Sequence, residues 1–175
     1  MPTTQTNTKR AGSRSSRVAS RASARPADAI KLLKDDHREV KTWFEEFENL
    51  EDDAEKEALA RRICLALSVH ARIEEEIFYP ALRKAIDDED LLDEAEVEHA
   101  SAKQLIAEIE SMSADDRLFD AKVKVLGEYV THHVGEEEHQ LFPEARESGV
   151  DLKDLGSELA KRKAELMKQS RTNPH

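Results

Sequence analysis

Four segments of this chain carry apolar residues at spacings of three and four, and each stripe is interrupted by a histidine. The first runs Ile30, Leu33, His37, Val40, Phe44, Phe47. The second runs Leu59, Ile63, Ala66, His70, Glu74, Ile77, Ala81, and the third Leu92, Ala95, His99, Ala102, Ile106, Ile109. The fourth runs Phe119, Val123, Leu126, Val130, His133, Glu137, Leu141. Such spacing puts each set on one face of an α-helix. A core-facing stripe cannot hide imidazole and carboxylate unless they find partners there, so these interruptions constrain both the fold and what it encloses.

The interruptions are also duplicated. His70-x3-Glu74-x5-Pro80 recurs as His133-x3-Glu137-x5-Pro143, 63 residues later, and the lone histidines His37 and His99 are 62 apart. One unit, a lone His followed by His-x3-Glu, therefore occurs twice. Residues at i and i+4 share a helix face, so each His-x3-Glu pair aims at one place. Two buried carboxylates facing each other would repel. Cations remove that objection, and imidazole with carboxylate suits iron, manganese or zinc. Four histidines and two glutamates at matched positions are the composition of a two-metal site.

The expected fold is all-α, an up-down-up-down four-helix bundle. Usage is rich in Ala, Glu, Lys, Leu and Arg, with five Gly and five Pro in 175 residues, which favours helices. Helix starts are signalled by Asp28, by Asp52 or Asp53, by Asp88 or Asp90, and by Ser113 with Asp116 in a capping-box arrangement. Short loops make sequence neighbours antiparallel neighbours. Pro80 and Pro143 are expected to kink or end their helices, and Gly149 to end the fourth. Residues 28–148 form the bundle domain on this reading. Residues 149–175 add a short, charged fifth helix from Asp151 to about Met167 and a frayed end at Asn173–His175.

The net charge is −11, but Lys9, Arg10, Arg14, Arg17, Arg21 and Arg25 give the first 26 residues +6 with no acid, so the remainder carries −17. An acidic body argues against a specific nucleic-acid partner. Residues 1–27 read as a disordered basic tail, poor in large apolar residues. No apolar run reaches 18 residues, so no membrane span is expected, and the chain reads as cytoplasmic. The single Cys64 excludes an internal disulfide and a multi-cysteine zinc site; it reads as a core residue.

Around the six site candidates, Asp36 and Glu98 precede lone histidines and can accept a ring N–H. Glu75, Glu76, Glu136 and Glu138 flank the motif glutamates and read as mostly solvated, with room for one to add an oxygen ligand. His132 with Glu136 offers an alternative frame, but the proline offset selects His133 with Glu137. His139 reads as a surface residue. Trp43, Phe44, Phe47, Phe78 and Phe142 read as packing around the site; Tyr79 and Tyr129 are candidates for outer-sphere donors.

These residues resemble the hemerythrin-like, HHE cation-binding domain family. The resemblance rests on Asp-Asp-His37, His70-x3-Glu74 with Phe-Tyr-Pro80, Glu98-His99, and His133-x3-Glu137 with Leu-Phe-Pro143, and it spans roughly residues 28–148. It implies a bundle holding two non-haem irons in an oxygen-bridged centre, with His37 and His70 on one iron, His99 and His133 on the other, and Glu74 and Glu137 bridging. Manganese and zinc remain compatible with the donors. It implies a small-molecule ligand: O2, NO or peroxide, for sensing, storage or iron handling, or a di-iron enzyme that consumes peroxide in the manner of a catalase or peroxidase. Oxygen-carrying hemerythrins have a further His four residues after the third-helix His, where this chain has Lys103. The expected ligand set is thus four His and two Glu, which argues against simple O2 carriage.

Overall fold

The computed structural model describes residues 28–86 and 89–172. The stretch read as a basic tail, the alternative cap Asp88 and the end at Asn173–His175 lie outside the described residues. Helix α1 (Ala29–Phe47) starts at Asp28, whose carboxylate accepts the Lys31 backbone N–H at 2.9 Å. For α2 (Asp53–Ile73) the cap is Asp52, which accepts the Glu55 N–H at 3.0 Å. Each cap satisfies an otherwise orphaned donor of the first turn. Helix α2 runs through a π-helical turn, π1 (Glu74–Phe78), into α3 (Tyr79–Leu82). Helix α4 (Glu89–Glu110) comes next. Ser113 and Asp116 pair as expected, N–H to carboxylate at 2.9 Å, but they close a turn. Helix α5 (Phe119–Glu136) begins three residues beyond Asp116 and passes through π2 (Glu137–Leu141) into α6 (Phe142–Glu147). Gly149, at φ +80°, turns the chain out of α6, a conformation that only glycine adopts freely. Helix α7 (Leu152–Thr172) is 21 residues long.

The helix ends two residues after Pro80 and four residues after Pro143, and each proline follows a π turn. In an α-helix the ring of Pro80 would collide with the carbonyl four residues back, and its missing N–H would leave that carbonyl unpaired. The chain instead widens by one π turn just ahead of each proline. The Tyr79 N–H donates to the Glu74 carbonyl, and the Phe142 N–H to that of Glu137, five residues back in both copies. Both π turns begin on the motif glutamate. The extra residue shifts the helical phase beyond each glutamate: the expected Ile77 and Ala81 are half-buried, while Phe78 and Leu82 are fully enclosed.

The buried residues form two apolar clusters with the histidines between them. One contains Ile30, Leu33, Ile73, Phe78, Leu92 and Leu141; the other contains Val40, Phe47, Ile63, Leu67, Ile106 and Leu126. Along α1 the order is first cluster, His37, second cluster; along α2 it is reversed; α4 repeats α1, and α5 repeats α2. The four rods therefore alternate in direction, up-down-up-down. They pack in a ring, α1 on α2, α2 on α4, α4 on α5 and α5 on α1. A Cβ at Gly127 would lie 3.1 Å from the Phe44 ring, so glycine there lets α5 close on α1.

The fifth helix is longer than the expected Asp151–Met167, and it packs tightly. Leu155, Leu159 and Leu166 are buried in the first cluster, and α7 lies against α1, α2 and π1. Arg162 reaches Glu76 at 2.6 Å, and Lys163 reaches Asp36. Among the described residues no helix is long and apolar enough to cross a membrane.

Candidate metal centre

Each site residue named from the sequence arrives at one place between the clusters. His37 comes from α1, His70 from the last turn of α2, His99 from α4 and His133 from the last turn of α5. Glu74 and Glu137 open the two π turns. All six are buried, Glu74 completely and Glu137 to 2% exposure. The Nε2 atoms of His37 and His70 are 3.0 Å apart, and so are those of His99 and His133. Glu74 Oε2 lies 3.3 Å from His70 Nε2 and 3.5 Å from His99 Nε2. Glu137 Oε2 lies 3.3 Å from His37 Nε2 and 3.6 Å from His133 Nε2. Each carboxylate thus stands between one imidazole of each pair.

The outer nitrogens explain why the rings point inward. His37 Nδ1 donates to Glu138 at 3.1 Å, His70 Nδ1 to Asp36 at 3.4 Å, His99 Nδ1 to Glu75 at 3.0 Å and His133 Nδ1 to Glu98 at 2.7 Å. Carboxylates only accept, so the proton sits on Nδ1 and the Nε2 lone pair faces the centre. The pattern is crossed. Asp36 and Glu98 hold the histidine of the neighbouring helix rather than the one beside them in sequence. Glu75 and Glu138, expected to be solvated, are corrected to outer partners of His99 and His37. Lys34 pairs with Glu138, Lys163 with Asp36 and Lys103 with Glu75. Lys103 therefore points away from the centre.

Tyr79 supplies an oxygen that the sequence under-weighted. Its hydroxyl donates to Glu137 Oε1 at 2.9 Å and lies 3.4 Å from His99 Nε2. Those separations match the ligand-to-ligand distances around it, so the phenol oxygen stands beside the His99/His133 pair as a further donor. The signal was present: Tyr79 and Phe142 occupy equivalent places before the two prolines, and only the first has a hydroxyl. Burial, with Glu74 and Glu137 nearby, holds the phenol well above its usual pKa, so it keeps its proton.

Other candidates fall elsewhere. His132 is 65% exposed and groups with Glu98 and Glu136 on the surface. His139 bonds to the Gly135 carbonyl, and Glu76 pairs with Arg72 and Arg162. Tyr129 is 52% exposed, and Cys64 is buried in the second cluster.

The donors fit cations. Both oxygens of Glu74 and Oε2 of Glu137 are buried without a hydrogen-bond partner, and a buried charge without a counter-charge costs several kcal/mol or more. Two Nε2 lone pairs 3.0 Å apart also repel unless a proton or a cation lies between them. The metal-free protein answers with a proton: burial opposes charge on His70, but Glu74 and Asp36 outweigh it and push its pKa up to about 10. Burial likewise opposes the Glu137 anion, yet His37, His133 and His70 hold it down to about 2. The atoms of His37, His70, Glu74 and Glu137 lie within 4.8 Å of one another, as do those of Glu74, His99 and His133. The set is nitrogen and oxygen without sulfur, the preference of iron, manganese and zinc.

The hemerythrin HHE cation-binding domain model matches residues 28–145. This chain belongs to the hemerythrin HHE cation-binding family. A solved HHE cation-binding domain-containing protein from Mycobacterium kansasii has the same fold, with a TM-score of 0.73 at 22% identity over 85% of this chain and 95% of that one. A protein from Nostoc sp. named DNA nickase is 30% identical over 118 residues, 66% of this chain; the chain spans about a third of that relative's length. Metal-cation binding is the property of the HHE domain, and the buried His/Glu groups of this one are positioned for it.

Proposed function

We propose that this HHE domain is a non-haem di-iron protein that handles a small oxidant, and that peroxide is the ligand its centre fits best. His37 and His70 would hold one iron, His99 and His133 the other, with Glu74 and Glu137 shared between them. The observation that carries the reading is the pair of enclosed carboxylates, three of whose oxygens have no hydrogen bond while four imidazole lone pairs converge on them. Manganese or zinc would satisfy the same donors; iron adds two adjacent centres able to exchange electrons with an oxidant.

The chain's own groups favour peroxide over reversible carriage or sensing of O2 or NO. Lys103 is turned outward onto Glu75, so the position four residues after His99 adds no nitrogen, and room remains for an exogenous ligand. Tyr79 keeps its O–H on Glu137 Oε1, so it would hold and orient that shared carboxylate while an oxidant binds. The outer carboxylates fix the ring orientations, and the two apolar clusters limit water. The nickase name of the distant relative lends no support to nucleic-acid chemistry in this domain, because the −17 charge outside the first 26 residues repels a phosphate backbone.

The test is hydrogen peroxide consumption by the iron-loaded protein against the same concentration of free iron. A rate well above free iron, reduced in Tyr79→Phe at unchanged iron content, is expected. A rate equal to free iron rejects peroxide turnover and leaves ligand binding alone.

A further inference from the structure

The cavity beside the four imidazoles is larger than hydrogen peroxide or a diatomic needs. It has a volume of about 240 Å³ and touches α1, α2, α4 and α5. A water occupies roughly 30 Å³ of liquid, and an apolar cavity of about 150 Å³ takes a benzene-sized guest. By proportion this one holds about nine or ten non-hydrogen atoms. Its walls are Val40, Leu67, Ala71, Ala102, Ile106 and Val130. These side chains make most of its lining surface apolar, and water against that part lacks hydrogen-bond partners, so an apolar group is favoured there, while the polar atoms are gathered on the imidazole face.

Two further features give the cavity a direction. All four histidines line it, whereas Glu74, Glu137 and Tyr79 do not. The protein's oxygen donors thus lie on the far side, and a guest meets the imidazole face. Val97 and Tyr129 also line it, and they are 67% and 52% exposed. They are two of the four large apolar side chains exposed among the described residues, so apolar groups are concentrated where the cavity meets solvent.

We propose that this cavity takes the hydrocarbon part of an organic hydroperoxide, alkyl or aryl, with the peroxide oxygens toward the imidazole face. The oxygen head rests on the peroxide reading above; the apolar fit of the tail does not. Ala102, three residues beyond His99, lines the cavity from α4, where a larger side chain would narrow it.

The probe is 1-phenylethanol, an unreactive molecule of about nine non-hydrogen atoms, the size the cavity admits. Titrated into the metal-free wild-type protein, it should shift the Ala71, Ala102 and Ile106 methyl resonances saturably and give intermolecular contacts to them. Ala102→Leu should weaken binding at least tenfold, with the iron content of the loaded variant unchanged. The wild-type contacts need no variant, so misfolding of Ala102→Leu would not hide the result. Shifts that stay linear to the solubility limit, or equal binding by the wild-type protein and a folded Ala102→Leu, overturn the inference. If the iron-loaded protein consumes hydrogen peroxide but the probe does not saturate, the cavity inference fails alone. If the probe saturates but neither hydrogen peroxide nor tert-butyl hydroperoxide is consumed faster than by free iron, the hydroperoxide head is overturned and an apolar guest of this size is retained.

Discussion

Glu98→Gln should weaken one of two metal positions and spare the other. Glu98 accepts the Nδ1–H of His133 at 2.7 Å, the shortest of the four contacts that orient the site imidazoles. At that distance a charged acceptor both fixes the ring and raises the basicity of Nε2. Glutamine keeps an acceptor oxygen of the same reach but loses the charge. Loss of such outer partners costs about 10- to 100-fold in metal affinity, which is about 1.4–2.7 kcal/mol. The effect should fall on the cation held by His99 and His133. Asp36→Asn acts on the other pair through His70, but its contact is 3.4 Å, at the edge of hydrogen bonding, so about tenfold or less is expected. Anaerobic calorimetric titration with Fe²⁺ resolves the two positions. Wild type should show two tight events, and Glu98→Gln one tight and one weakened. Equal weakening of both, or a larger loss in Asp36→Asn than in Glu98→Gln, would refute the link between contact length and ligand strength.

Other expectations rest on burial and charge. Leu159 is fully enclosed where α7 meets the first cluster, so Leu159→Ala should cost about 2–5 kcal/mol in urea unfolding; a loss below about 0.5 kcal/mol, the range of ordinary surface changes, would mean that α7 is dispensable. With His70 pushed up to about 10 by Glu74 and Asp36 against its burial, the metal-free protein carries a proton there at pH 7 that a cation must expel. Metal uptake should release protons, and apparent affinity should rise with pH toward about 10; calorimetry in buffers of different ionisation enthalpy counts them. The same raised pKa contributes stability to the metal-free protein that is full below about 6.5 and lost as pH rises through about 10. Burial and Glu110 push the Cys64 thiol up to about 12, so iodoacetamide at about pH 8 should label the folded protein far more slowly than the denatured one; equal rates would contradict its enclosure.

The four stripes were legible because 3,4 spacing is a direct image of helix geometry, and His37, His70, Glu74, His99, His133 and Glu137 stood out as polar positions inside them. The phase slip was not, because α-helical periodicity has no term for an inserted residue. The trace is in the duplicate: 3,4 spacing puts both Ile77 and Leu141 on stripes, yet the 63-residue offset pairs Leu141 with Phe78. The roles of Glu75 and Glu138 were hidden because they arise between helices, from antiparallel packing that brings each beside a histidine of the other repeat unit. Helix α7 read as merely charged, since its buried leucines Leu155, Leu159 and Leu166 are widely spaced among charged residues.

The most direct measurement is the iron-to-chain ratio of the purified, iron-loaded and desalted protein beside its Glu74→Ala and Glu137→Ala variants. Two irons per wild-type chain, falling toward one or none in each variant, is the predicted result. A wild-type protein that retains no iron, or two variants that both keep two tightly held ions, would contradict a centre bridged by Glu74 and Glu137.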